Sequence, residues 1–214
     1  MTPLAAPLTA LPVAEKTPAK VPEKAPDAVA VRAFLHGIVR DSNRHGRFLN
    51  MLSMLEHMGS RKIMLSQMNR DMNETTLKHL AEEARHAFFF KRQAERVMGA
   101  PVQGYTDANT HTRAAARMYF DRLAAFINDT TGEEAAYPWT TRLVEIRACW
   151  FYEIYEEVLR EAGVSVSLKS LLAEEEGHLA EMKALCGDEA ELLNALCAHE
   201  EQLFARLWQA ITAA

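Results

Sequence analysis

The feature that most limits how this chain can fold is a short pattern that occurs twice. Glu83-Ala84-Arg85-His86 lies in one segment of helical periodicity, and Glu175-Glu176-Gly177-His178 lies in another, in the C-terminal half. Residues three apart on an α-helix share a face, one turn above each other. Each pattern therefore aims a carboxylate and an imidazole in one direction. If two such faces meet inside a bundle, each joined by one more glutamate from a neighbouring helix, the set suits two iron or manganese ions.

The rest of the chain is consistent with such a bundle. Nine glycines and eight prolines in 214 residues, with abundant Ala, Leu, Glu and Arg, favour helix. The length suffices for one well-buried domain. Six of the eight prolines fall within residues 1–26. That segment is predicted to be a Pro/Ala-rich disordered tail, because it cannot bury enough apolar surface to offset its ordering entropy. Residues 27–214 are predicted to form a single helical domain. Over residues 1–27 Lys16, Lys20 and Lys24 balance Glu15, Glu23 and Asp27, so the formal charge of −5 resides in the residues that follow. This acidic balance argues against a nucleic-acid partner while leaving room for a local basic patch. Cys149, Cys186 and Cys197 are odd in number and lack CxxC spacing, which points to a reducing cytoplasm rather than a disulfide framework. No run of about 18 apolar residues suggests a membrane span, and Pro3, Pro7 and Pro12 interrupt any secretory signal.

Caps and stripes divide the domain. Asp27 caps a predicted short helix through Arg40, and Asp41-Ser42-Asn43 offers a break before a long helix. That helix carries Phe48, Leu49, Leu52, Leu55, Ile63, Met64 and Met68 at helical spacing, with Glu56 on the same stripe. Asn73 caps the next helix, which ends at Gly99-Ala100-Pro101. Its inner stripe reads Leu80, Glu83, Ala87 and Phe90, with His86 beside it. His79, one turn earlier, is expected beside the ligands or at the surface, and Glu82 is expected in solvent. Residues 101–137 form a long crossover with its own helix, roughly Thr112–Asn128. Pro138 suits the first turn of a helix ending near Arg160, with Glu145, Ala148, Cys149 and Tyr152 on one face. Ser165 or Ser167 is expected to cap the helix that bears Glu175 and His178. Asp188 and Glu191 resemble a capping box for a last helix, whose stripe runs Leu192, Leu196, Leu203, Leu207, Ile211 and includes His199 as a core residue.

The metal-ligand set is thus Glu56, Glu83, His86, Glu175, His178 and a glutamate from the third bundle helix. Glu56 is followed by a small residue at Gly59 and an apolar one at Ile63. Glu145 repeats this with Ala148 and Tyr152, which favours it over Glu153. Four carboxylates and two imidazoles form an N/O set suited to iron or manganese rather than thiolate-seeking metals. Two divalent ions bring four positive charges, which four glutamates neutralise. Arg85, Arg147 and Glu176 are candidate outer partners of the ligands. Cys149 and Tyr152 are candidates for hydrogen bonding near the metals or for contact with a substrate.

With these residues in place, residues 42–185 resemble the ferritin-like di-iron carboxylate superfamily, whose plan is E…ExxH…E…ExxH across four helices. The stretch Val144-Glu145-Ile146-Arg147-Ala148-Cys149 is similar to the third-helix segment of bacterial tRNA-modifying di-iron hydroxylases. The chain lacks the four-cysteine iron site of rubrerythrins, carries an extra crossover helix unlike cage ferritins, and is shorter than desaturases. The resemblance implies an all-α, ferritin-like four-helix bundle with a helical crossover, a short N-terminal helix and an extra C-terminal helix. It implies two Fe ions, with Mn as the alternative, bridged by Glu83 and Glu175. The implied function is a di-iron oxidoreductase acting with dioxygen or peroxide, an unknown small-molecule substrate and an electron-donor protein. A ferrous-iron oxidising or peroxide-scavenging protein, a tRNA hydroxylase, a non-enzymatic helical interaction protein and a homodimeric assembly stay open.

Overall fold

A computed structural model describes residues 24–68 and 71–214; most of the predicted tail lies outside the described residues. Among those described there are seven helices and no strand: α1 (Ala28–Ile38), α2 (Ser42–Ser66), α3 (Glu74–Met98), α4 (Arg113–Thr131), α5 (Glu133–Glu161), α6 (Lys169–Cys186) and α7 (Ala190–Ala213). No helix among the described residues is long and apolar enough to cross a membrane.

The first helices start where short polar side chains can accept the unpaired N–H groups of the first turn. Asp27 accepts from the Ala30 N–H, Asp41 from those of Asn43 and Arg44, and Asn73 from that of Thr76. Gly99, at φ 66°, ends α3 in the left-handed conformation that only glycine adopts cheaply. The later starts differ from expectation. α5 begins at Glu133, so Pro138 sits inside the helix rather than at its first position, and the Glu134 carbonyl loses its helical donor. No side chain caps α6 from its N-cap residue Leu168; Ser167, one residue earlier, accepts the Lys169 N–H at 3.5 Å, and the Glu156 carboxylate of α5 accepts the Leu168 N–H and the Ser167 hydroxyl. The Asp188–Glu191 capping box does not form, and the N-cap residue of α7, Glu189, makes no side-chain cap bond.

Two antiparallel pairs build the interior. Along α2 and α3 the close approaches run in opposite order: Gly46 against Ala94 and Met98, Ser53 to the Ala87 carbonyl, Gly59 beside Glu83. Along α5 and α6, Glu156 reaches Leu168, Glu145 approaches His178, and Arg142 donates to the Gly187 carbonyl. The crossover α4 packs on α5 and α7, while α1 packs on α5 and α2. The core between them includes Leu35, Ile38, Phe48, Leu49, Leu123, Leu143, Tyr155 and Leu159, all at most 1% exposed. Each such side chain contributes roughly 1.5–3 kcal/mol by leaving water. Met64 and Met68 are 50% and 70% exposed, so the apolar stripe of α2 ends at Ile63.

α7 is tied down by a buried ionic knot. Arg147 of α5 donates through Nε and Nη2 to the two oxygens of Glu200, at 2.9 and 2.6 Å. Tyr119 of α4 donates to the same carboxylate at 2.7 Å, and Phe204 lies under the guanidinium. Glu200 is 3% exposed. His199 does not enter the core as expected: it is half-buried and stacks on Phe126, ring centroids 3.6 Å apart.

Candidate metal centre

The antiparallel pairs bring seven ligand-type side chains to one buried level. Glu56 comes from α2, His79, Glu83 and His86 from α3, Glu145 from α5, and Glu175 and His178 from α6. All are at most 8% exposed. They fall into two groups, His79–Glu83–Glu145–His178 and Glu56–Glu83–His86–Glu175, within each of which the ligand atoms lie within 4.8 Å of one another. Glu83 belongs to both groups, the position a bridging carboxylate takes. All six residues singled out in the sequence meet here, and Glu153 is exposed.

His79 is the seventh member. Its Nε2 faces Glu83 Oε1 at 3.4 Å and Glu145 Oε1 at 3.6 Å, and its ring lies 3.9 Å from that of His178, centroid to centroid. Its Nδ1 meets the Tyr137 hydroxyl at 3.0 Å. The i, i+4 spacing of His79 and Glu83 was the available signal, since it stacks both on the inner stripe.

The outer nitrogens of the other two histidines are cross-wired between helices. His86 of α3 donates through Nε2 to Glu174 of α6 at 2.7 Å, and His178 of α6 donates through Nε2 to Glu82 of α3 at 2.9 Å. Such a carboxylate holds the proton on Nε2 and turns the inner Nδ1 towards the site, where it can ligate once its own proton is lost. Glu82 is therefore not in solvent as expected: its side chain is 13% exposed. Arg85 joins the arrangement, donating to Glu174 and lying 3.7 Å from Glu82. Glu176 is exposed, and Arg147 serves Glu200, so neither of these two supports a ligand.

Tyr152 donates to Glu56 Oε1. Cys149 is free and buried; burial, with Glu175 and Glu176 near by, pushes its thiol up to about 11.

Three buried polar atoms here have no hydrogen-bond partner: His79 Nε2, Glu83 Oε1 and His86 Nδ1. Buried polar atoms are rarely left so, and all three point into the cluster, as metal-ligand atoms do. Burial, reinforced by Glu83 and Glu175, pushes the Glu56 carboxyl well above its usual range; burial, with Glu175 and Glu83, does the same to Glu145. At His86 burial is outweighed by Glu175, Glu56 and Glu83, and the imidazole rises to about 10. At Glu175 burial is outweighed by the His178 and His86 imidazoles, whose Nδ1 atoms lie 3.2 and 3.1 Å from its oxygens, and the carboxyl is held low. Protons on Glu56, Glu145 and His86 thus offset buried negative charge where cations do not. The donor set fits two divalent N/O-seeking ions.

Comparison of the chain with protein-family models, with curated proteins and with solved structures finds no significant match.

Proposed function

We propose that the chain is a ferritin-like di-iron carboxylate protein and acts as a non-haem oxidoreductase. The observation that carries this is the convergence of His79 Nε2, Glu83 Oε1 and His86 Nδ1, buried and unpartnered, within a set of four glutamates and three histidines. Two iron ions held there would supply the electrons that reduce dioxygen or peroxide.

The chain's own residues would do the rest. Glu83 spans both groups and would hold the two ions at a fixed separation. Glu56 with His86 and Glu175 would complete one group, and Glu145 with His79 and His178 the other. Glu174 and Glu82 keep the imidazoles in the ligating tautomer. The Tyr152 hydroxyl, donating to Glu56, orients that carboxylate. Two cavities reach the ligands, one with Lys62, Asn128 and Thr140 in its lining and one walled almost wholly by apolar side chains, which supports turnover of an organic substrate over plain iron oxidation.

Elemental analysis of protein expressed with iron tests the proposal. Two irons per chain, lost in Glu83→Ala and Glu175→Ala variants that keep their helical content, are expected. Iron-free protein with an unchanged fold would overturn it. Mixing the ferrous protein with dioxygen in a stopped-flow instrument then tests the oxidative step, and absence of oxidation would remove the oxidoreductase assignment.

A further inference from the structure

The ligand cluster forms the floor of two cavities that share a wall. The outer cavity, about 290 Å³, has Lys62, Asn128 and Thr140 around it and His79, Glu83 and Glu145 beneath. The inner one, about 100 Å³, is walled by Leu52, Phe151, Phe204, Leu207 and Ile211, with Glu56, Glu83, Glu145 and Glu175 among its lining. Gly59, Phe120 and Val144 line both. A third cavity of about 390 Å³ lies between α2 and α4 and shares Lys62 and Leu65 with the outer one.

That third cavity reverses the sign of the molecule. The chain carries a formal charge of −5, yet Arg61, Lys62, Arg113 and Arg117 line this space against one carboxylate, Asp121. Lys62 lies 3.0 Å from Asp121 and Arg113 lies 3.4 Å from Asp107. Arg61 and Arg117, both exposed, meet no carboxylate within 4.0 Å among the described residues. Two uncommitted guanidinium groups with a lysine beside them suit a phosphate or carboxylate group, which they grip through forked charge-assisted hydrogen bonds.

The neighbouring spaces specify the rest of the ligand. The inner chamber offers apolar walls, where an alkyl group gains and a charged group loses. Its 100 Å³ holds three or four heavy atoms at about 30 Å³ each, the share of one water in the liquid. Lys62 lies six residues beyond Glu56, about 9 Å along α2 at 1.5 Å per residue. An extended chain advances about 1.2 Å per bond, so roughly eight bonds carry it from the level of Lys62 to that of Glu56, which lines the inner chamber, and its last three or four atoms lie there.

We propose that the site takes an amphiphilic anion: a phosphate or carboxylate held by Arg61, Arg117 and Lys62, and an unbranched alkyl chain of roughly eight carbons. The chain crosses the outer cavity beside Glu83 and Glu145, and its end lodges in the apolar chamber. The role of this molecule as a substrate rests on the oxidoreductase proposal; its binding does not require iron.

Calorimetric titration of the full chain, with and without iron, tests this using octyl phosphate, octanoate, octanol and inorganic phosphate. Octyl phosphate or octanoate is expected to bind at least about tenfold more tightly than octanol and than inorganic phosphate, a difference of about 1.4 kcal/mol or more. The ratio of the two octyl anions identifies the head group. The Arg61→Ser/Arg117→Ser double variant, altered only at exposed positions, is expected to lose that advantage while octanol binding stays unchanged. Val144→Phe, at the shared wall, is expected to weaken both octyl anions and spare inorganic phosphate. Octanol binding as tightly as the anions, or a double variant without effect, overturns the proposal. So does a single-stranded RNA that binds more tightly than either anion and loses this in the double variant. Iron content is measured on the same samples. Amphiphile binding without iron removes the oxidoreductase proposal and keeps the pocket, whereas two irons without amphiphile binding does the reverse.

Discussion

At the scale of single residues, the outer nitrogen of a histidine decides what its inner nitrogen can do. Glu174 and Glu82 accept from Nε2 of His86 and His178, and each comes from the helix opposite its histidine. Removing such a partner typically weakens metal binding 10–100-fold. Glu174→Ala and Glu82→Ala are therefore expected to lower iron affinity by about that factor with helical content retained, as competition against a coloured chelator would measure; unchanged affinity would refute the role. A different residue governs acid stability. His45 is 1% exposed and its Nε2 meets the Tyr155 hydroxyl, and burial lowers its pKa to about 4. In the unfolded chain the same group titrates near 6.5. Between these values the unfolded state binds the extra proton, so stability is full above about pH 6.5 and falls as the pH drops towards 4. The loss amounts to about 3 kcal/mol. Denaturant titrations between pH 7 and 4 should show this slope in the native protein and a smaller one in His45→Gln.

At the scale of elements, the close approach of α2 and α3 is set by small residues. A Cβ placed on Gly59 would lie 3.0 Å from Glu83 Oε2, so this glycine makes room for the shared carboxylate. In a helix interior glycine costs roughly 0.5–1 kcal/mol relative to alanine. Gly59→Ala is thus expected to raise the melting temperature of the metal-free protein by about 1–4 °C while lowering iron affinity. A variant that gains stability and keeps full affinity would show that the approach is immaterial. Gly59 was legible in the sequence as a small residue one turn from Glu56, just as the Glu-x-x-His pairs were legible from spacing, because both depend on one helix alone. What escaped the sequence depends on two. Glu82 looks like a solvated neighbour of Glu83 until α6 is laid antiparallel beside α3. Glu200 looks like one charge among many on α7 until Arg147 and Tyr119 reach it. The sequence places the start of α5 about one turn late, at Pro138, because the tight Gly132 junction, at φ 79°, lets α5 begin almost directly after α4. The capping box at α7 fails because the N-cap position falls on Glu189, one residue past Asp188, which leaves Glu191 at the second rather than the third helical position.

At the scale of the whole molecule, the candidate ligands come from α2, α3, α5 and α6, so ions bound there would join both antiparallel pairs at one level. No such arrangement exists in the unfolded chain, and binding free energy therefore becomes folding free energy. An ion at a thousand times its dissociation constant stabilises the native state by about 4 kcal/mol. For a domain of this size each kcal/mol moves the midpoint by about 2–4 °C. The iron-loaded protein is expected to melt about 8–16 °C above the chelator-treated protein. Glu83→Ala should erase most of that difference, since its carboxylate belongs to both groups, whereas Arg61→Ser/Arg117→Ser should leave it intact. Calorimetric scans of the three proteins, each with and without iron, decide the matter. Equal melting of loaded and chelated native protein would mean that the buried carboxylates are held by protons alone. The cluster would then be a polar core element, and the unpartnered nitrogens of His79 and His86 would need another occupant.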